Sequence, residues 1–238
     1  SSALHTIPIG VPSLIAGVNP MESPIGQPTI IDINSALAAL GLTLIFLVAG
    51  FLLGCFYFNL LARITQEPAD SFDLRTFIAQ VISTLGLLVG LFIIALIAMI
   101  PVMVCISIFS AINASLATFA MFLLFFILLW AFLPMVFTPH SIYANQPNLI
   151  AALATSVRLV RRFLPGTSLF ILTALLVGQG LDLLWRIPPA SSWLTVVGIF
   201  GHAFIFSALY ASSFQYFRSG IRWMNANVTE RSSQEIRI

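Results

Sequence analysis

Between Arg75 and Arg158 the chain runs for 82 residues, Thr76 to Val157, without one Asp, Glu, Lys or Arg. A soluble domain places charge at about a quarter of its positions, so water is not the solvent such a run is built for. Two crossings of a hydrocarbon core about 30 Å thick fit inside it, at about 20 residues each. The 238 residues are 59% hydrophobic and 8% charged, with mean hydropathy +1.04, and the rest of the chain follows the same rule. The fold class is therefore all-α, a multi-pass transmembrane helix bundle of about five spans with one in-plane amphipathic helix.

The spans are expected at about 35–62, 77–109, 116–137, 168–185 and 193–217, inside a transmembrane domain of 35–217. Ahead of it, 1–34 is a proline-rich tail carrying Pro8, Pro12, Pro20, Pro24 and Pro28 and no lysine or arginine, which predicts extended, polyproline-like chain. Pro68 and Ser71 predict a short interfacial helix before the second span, Pro101 a kink near its far end, and Asn113 with Ser115 the next turn. Residues 138–148 (TPHSIYANQPN) read as a polar turn in which His140 and Tyr143 are interfacial. Asn148 then caps an amphipathic helix over 149–164, ended by Pro165 and Gly166. Its Thr155, Arg158, Arg161 and Arg162 recur at spacings of three and four and share a face, opposite Leu149, Leu153, Val157, Val160 and Leu164. The arginines are candidate lipid-headgroup ligands. Small residues four apart (Gly50 and Gly54, Gly86 and Gly90, and Ala203, Ser207 and Ala211) predict faces for close helix packing.

Sidedness follows from arginine, the sole basic residue type besides histidine. With five spans, Arg63, Arg75, Arg158, Arg161, Arg162, Arg218, Arg222, Arg231 and Arg237 fall on one side and Arg186 on the other. By the positive-inside rule the first side is cytoplasmic. The expectation is a bacterial inner membrane, the N-terminal tail outside and 218–238 a cytoplasmic tail. The net charge of +2 is too small to point to nucleic acid as a partner. Cys55 and Cys105 lie in apolar runs and read as small buried hydrophobes.

Few residues carry chemistry. The sequence holds no HExxH, no GxSxG, no CxxC and no phosphate-cradling glycine loop. Asp182 and Arg186, four apart at the exit of the fourth span, form a candidate interfacial ion pair. His202 lies nine residues past Trp193, about 13–14 Å into the membrane, with Gly198 and Gly201 leaving room beside it. Gly198 four before His202 is similar to light-harvesting antenna polypeptides, and that resemblance implies a tetrapyrrole ligated by the imidazole.

The layout as a whole resembles the bacterial multi-pass families grouped around the membrane domain of glycerophosphoryl diester phosphodiesterases. The resemblance rests on a glycine-containing span ending in aromatics and arginine (GFLLGCFYFNLLAR), a short acidic segment (DSFDLRTF), and a proline-ended span followed by an amphipathic one (FLPMVF, then AALATSVRLVRRF). It extends from about Ala36 to Trp223. It implies a helical membrane domain, with a further span upstream in relatives, and no hydrolase activity, because the soluble phosphodiesterase domain has no counterpart here. The resulting expectation is a non-enzymatic accessory or scaffold subunit of a larger membrane complex, in contact with lipids and other integral membrane subunits and requiring no cofactor. The alternatives are a pigment- or haem-binding subunit acting through His202, and a small-molecule or lipid transporter using Asp182, Gln179 and Arg186.

Overall fold

The computed structural model describes residues 35–66, 72–144, 148–189 and 192–235, the side chains of 227–235 excepted. The described chain is helical, with no strand. Its elements are α1 (Ala36–Ile64), α2 (Leu74–Ile112), α3 (Ala114–Phe132), a 3-10 turn (Leu133–Met135), α4 (Thr138–Tyr143), α5 (Leu149–Arg162), α6 (Leu164–Trp185) and α7 (Leu194–Glu235). Five helical stretches are long and apolar enough to cross a membrane: α1, α2, Ala114–Tyr143, α6 and Leu194–Ala226 of α7. The protein is an all-α multi-pass membrane protein.

Helix boundaries follow from local polar chemistry. Ser35 caps α1, its hydroxyl accepting from the Ala38 amide at 3.4 Å. Asp73 caps α2 by accepting from the amides of Arg75 (3.2 Å) and Thr76 (2.9 Å), so the helix that carries the second span starts at Leu74. It continues through Pro101 to Ile112. Asn113 ends α2 and, through its Oδ1 and the Ser115 amide at 2.7 Å, starts α3. The proline-rich 1–34 and the interfacial helix expected from Pro68 and Ser71 lie outside the described residues.

Two expectations need correction. Residues 138–143 are not an open polar turn but a short helix, α4, with all six residues buried, His140 and Tyr143 among them. Pro165 and Gly166 do not end the amphipathic helix; α5 closes on Phe163, and both residues sit in the first turn of α6, where proline lacks only an amide that has no partner anyway. The fifth span, expected to about Phe217, lies in a helix that continues through Arg218 and Arg222 to Glu235.

The chain divides into two compact units. Unit one takes Ser1–Ser71 and Pro165–Ser219, hence α1, α6 and most of α7. Its centre is Phe58, fully buried, against Tyr210 (ring centroids 5.3 Å apart) and Phe214 (6.1 Å). Tyr57 and Ser207 share a hydrogen bond of 2.7 Å between hydroxyls, and Phe170 stacks on Tyr216 at 4.5 Å. Arg218 and Gln215 finish α1: the Arg218 guanidinium donates to the Thr65 hydroxyl (3.0 Å) and the Ala62 carbonyl, and the Gln215 amide to the Thr65 carbonyl (2.9 Å). A cation on the last carbonyls of a helix is doubly favoured, by hydrogen bonding and by the helix dipole.

Unit two takes Phe72–Leu164 and Gly220–Ile238. Here α4 is the hub. The Gln80 side chain donates to the carbonyls of Ile142 (3.3 Å) and Tyr143 (3.5 Å), and the Thr84 hydroxyl donates to the Tyr143 hydroxyl at 3.0 Å. Ser156 of α5 donates to the Pro134 carbonyl (2.7 Å) and accepts from the Phe137 amide (3.1 Å), so one hydroxyl satisfies both backbone groups that the proline break leaves open. Of the expected small-residue faces, Gly86 meets Leu149, whereas the space beside Gly50 and Gly90 is open.

Candidate functional site

Two clusters of charged or polar side chains stand out, one in each unit. In unit two, α5 presents its arginines as the spacing predicts, but its buried face is turned from the expected one. Ala152, Thr155, Ser156, Leu159 and Val160 are buried, so Thr155 belongs to the packed stripe, while Leu153 and Val157 are only partly covered. The cause is the Ser156 hydrogen-bond pair, which fixes the helix about its axis; a reading that sorts residues only by hydropathy assigns Ser156 and Thr155 outward.

Arg158, Arg161 and Arg162 are exposed, and with Thr155 they form one wall of an open pocket of ≈ 610 Å³. Ile221, Met224 and Asn225 of α7 form the other. Two contacts set the arginines in place. The Arg158 Nε–H donates to the Ala154 carbonyl one turn back at 3.3 Å, and the Arg162 guanidinium lies over the Trp223 ring, 5.6 Å from its centroid. Trp223 is in turn held edge-on by Phe163 at 4.7 Å. Close approach of the helices here depends on Gly220, where a Cβ would come 2.5 Å from the Cδ1 of the fully buried Leu159.

The electrostatics of the cluster are one-sided. Arg158 with Arg161 and Arg158 with Arg162 are like charges three and four apart, each pair costing about 0.2–0.5 kcal/mol on an exposed helix. Placement of Arg161 and Arg162 in the last turn returns a comparable amount through the helix dipole. Among the described residues no carboxylate lies within ion-pair distance of the three.

In unit one the structure brings together residues that the sequence leaves as separate candidates. Asp182 Oδ2 accepts from Arg186 Nε at 2.8 Å, and Asp182 Oδ1 lies 3.0 Å from His202 Nδ1, an ion-pair distance without the alignment of a directed hydrogen bond. Asp182 is largely buried and His202 is 6% exposed. The imidazole packs on Phe206 with centroids 4.3 Å apart. Space beside Gly201 is filled by Trp185, whose ring a Cβ there would approach to 2.7 Å; Gly198 is buried on the same helix. Trp185 Nε1 is buried with no hydrogen-bond partner among the described residues. Among the described residues no group of three or more His, Cys, Asp or Glu is placed to hold a metal ion.

Sequence reasoning named the three arginines, Asp182, Arg186 and His202 but missed what holds them. Nothing in the sequence ties Trp223 or Gly220 to the arginine helix, because their partners Arg162, Phe163 and Leu159 lie far away along the chain. No family model matches this chain, and neither a curated protein nor a solved structure is found to be similar to it.

Proposed function

We propose that this integral membrane protein is a non-enzymatic accessory or scaffold component, working by packing against lipids and other membrane subunits. One observation carries the reading. In the most apolar window of each of the five spans, only 0, 6, 6, 11 and 11% of residues are buried within the chain. Leu40, Phe46, Leu53, Ile97, Phe122 and Trp130, among many others, face outward. Apolar area on this scale is covered by acyl chains or by neighbouring helices, and the open sides of Gly50 and Gly90 let a neighbouring backbone come close. The arginine sidedness supports a bacterial inner membrane with the first described residues outside and α5 on the cytoplasmic side. The loose resemblance to the phosphodiesterase membrane-domain group is in keeping with such a role.

Native mass spectrometry of the chain extracted in its own lipids tests this. Stoichiometric integral membrane companions, with lipid retained after activation, are the expected result. A lone chain that sheds all lipid and keeps its thermal stability refutes it. A second reading, transport of a small molecule, is favoured by the ionisable pair Asp182 and His202 within the spans, joined by Arg186 just past the end of α6, since such residues there commonly mark a pathway. Substrate-dependent uptake into vesicles lost in Asp182→Asn would establish it. The pigment-binding alternative is decided by the visible spectrum of the natively purified chain.

A further inference from the structure

We propose that the pocket between α5 and the end of α7 in unit two binds a terminal phosphate on an anionic amphiphile, with Arg158, Arg161 and Arg162 as the phosphate ligands. The proposal rests on the lipid-contacting reading above and narrows it to one site and one chemistry. Three guanidiniums inside five residues, with no carboxylate partner among the described residues, leave a local positive charge that an anion neutralises. Guanidinium forks donate in parallel pairs to tetrahedral oxyanions. A phosphate monoester brings a charge of about −1.5 to −2 and three acceptor oxygens, enough to engage three forks; a diester has one negative charge and two such oxygens.

The remaining geometry selects an amphiphile over a free ion. The pocket, ≈ 610 Å³, is far larger than a phosphate and within the range of small-molecule sites, and Ile221 and Met224 supply an apolar wall for the carbon skeleton. Arg162 is held in place by Trp223, a residue type enriched at the level of lipid headgroups. Arg158 is anchored through Nε, which leaves its terminal nitrogens to a ligand.

The test titrates the full chain, in phosphatidylcholine nanodiscs, with short-chain phosphatidic acid, short-chain phosphatidylglycerol and inorganic phosphate. Phosphatidic acid is expected to bind saturably and more tightly than phosphatidylglycerol. Each of R158A, R161A and R162A should weaken it about fivefold, and R158A/R162A about thirtyfold. R158K/R162K keeps the charge but loses the forks, so the preference for phosphatidic acid should collapse while general anionic attraction stays. Inorganic phosphate competing at equal affinity would keep the phosphate ligands but overturn the amphiphile as their source. Equal binding of both lipids, unchanged in R158K/R162K, would overturn the proposed site and leave the lipid-contacting reading standing. No response to any anionic lipid, in wild type or variants, would overturn both.

Discussion

Gly220 offers the sharpest test of how the arginine pocket is assembled. A Cβ at this position would sit 2.5 Å from Leu159 Cδ1, about 1 Å inside ordinary carbon–carbon contact, and Leu159 is fully buried, so its methyl can yield only by displacing the side chains around it. Overpacking of this kind costs about 1–3 kcal/mol. Replacing a mid-helix glycine by alanine also returns about 0.8–1 kcal/mol of helix propensity, so Gly220→Ala by itself blurs the two effects. Gly90→Ala separates them, because nothing lies within 4 Å of a Cβ at Gly90, in the interior of α2. The difference in unfolding free energy between the two variants isolates the clash and should be about 1–3 kcal/mol, with Gly90→Ala neutral or stabilising. Leu159→Ala removes the obstructing atoms, so the double variant should be no less stable than Leu159→Ala alone, a favourable coupling of about the same size. Equilibrium unfolding in mixed micelles measures all four. If Gly220→Ala matches Gly90→Ala within about 0.5 kcal/mol, or if Gly220→Ala and Leu159→Ala simply add, the packing of α5 on α7 described above is wrong.

Three further outcomes follow from the geometry. Ser156→Ala leaves the Phe137 amide and the Pro134 carbonyl without their hydroxyl partner and should cost about 1–3 kcal/mol, read as a lowered midpoint of unfolding in micelles. A double-mutant cycle between Asp182→Asn and His202→Gln should give a coupling of about 0.6–1.7 kcal/mol, the range of polar pairs inside membranes; zero coupling would mean the 3.0 Å approach is incidental. At Asp73 the Thr76 hydroxyl, then the Thr76 and Arg75 amides, hold the carboxyl below the usual carboxylate range. Its stabilisation of the start of α2 is therefore present above the unfolded-state pKa and lost as pH falls through the lowered folded value, and Asp73→Asn should flatten that acid limb in amide exchange at Arg75 and Thr76.

What the sequence makes legible is the solvent. A charge-free run of 82 residues and the clustered arginines name lipid and place the helices, because hydropathy reports burial in hydrocarbon directly. Orientation of the helices about their own axes is another matter. In α3 both the protein-facing and the lipid-facing sides are apolar, so no stripe distinguishes Ala120, which is buried, from Phe122, which is not; in α2 the buried Gln80 and Thr84 mark the face that Leu87 continues, but only near the start of the helix. Where polar residues do fix the rotation, they work through distant partners: Ser156 through the backbone around Pro134, Gln80 through the end of α4, Arg218 through the end of α1. The same holds for the candidate sites. Asp182 and Arg186 were legible as a pair because they are one turn apart, whereas His202 joins them only once α6 and α7 are packed. Pro165 misleads for a simpler reason, since a proline after arginines reads equally as the end of one helix or the first turn of the next.

Five crossings should leave the arginines of α5 on the side opposite the turn between α2 and α3. Single cysteines at Ala114 and Ala154, introduced where Cys55 and Cys105 have been replaced, report it directly through labelling of intact cells with an impermeant maleimide. Ala114→Cys should be labelled from outside, and Ala154→Cys only after the membrane is opened. Labelling of both from the same side would rule out this topology.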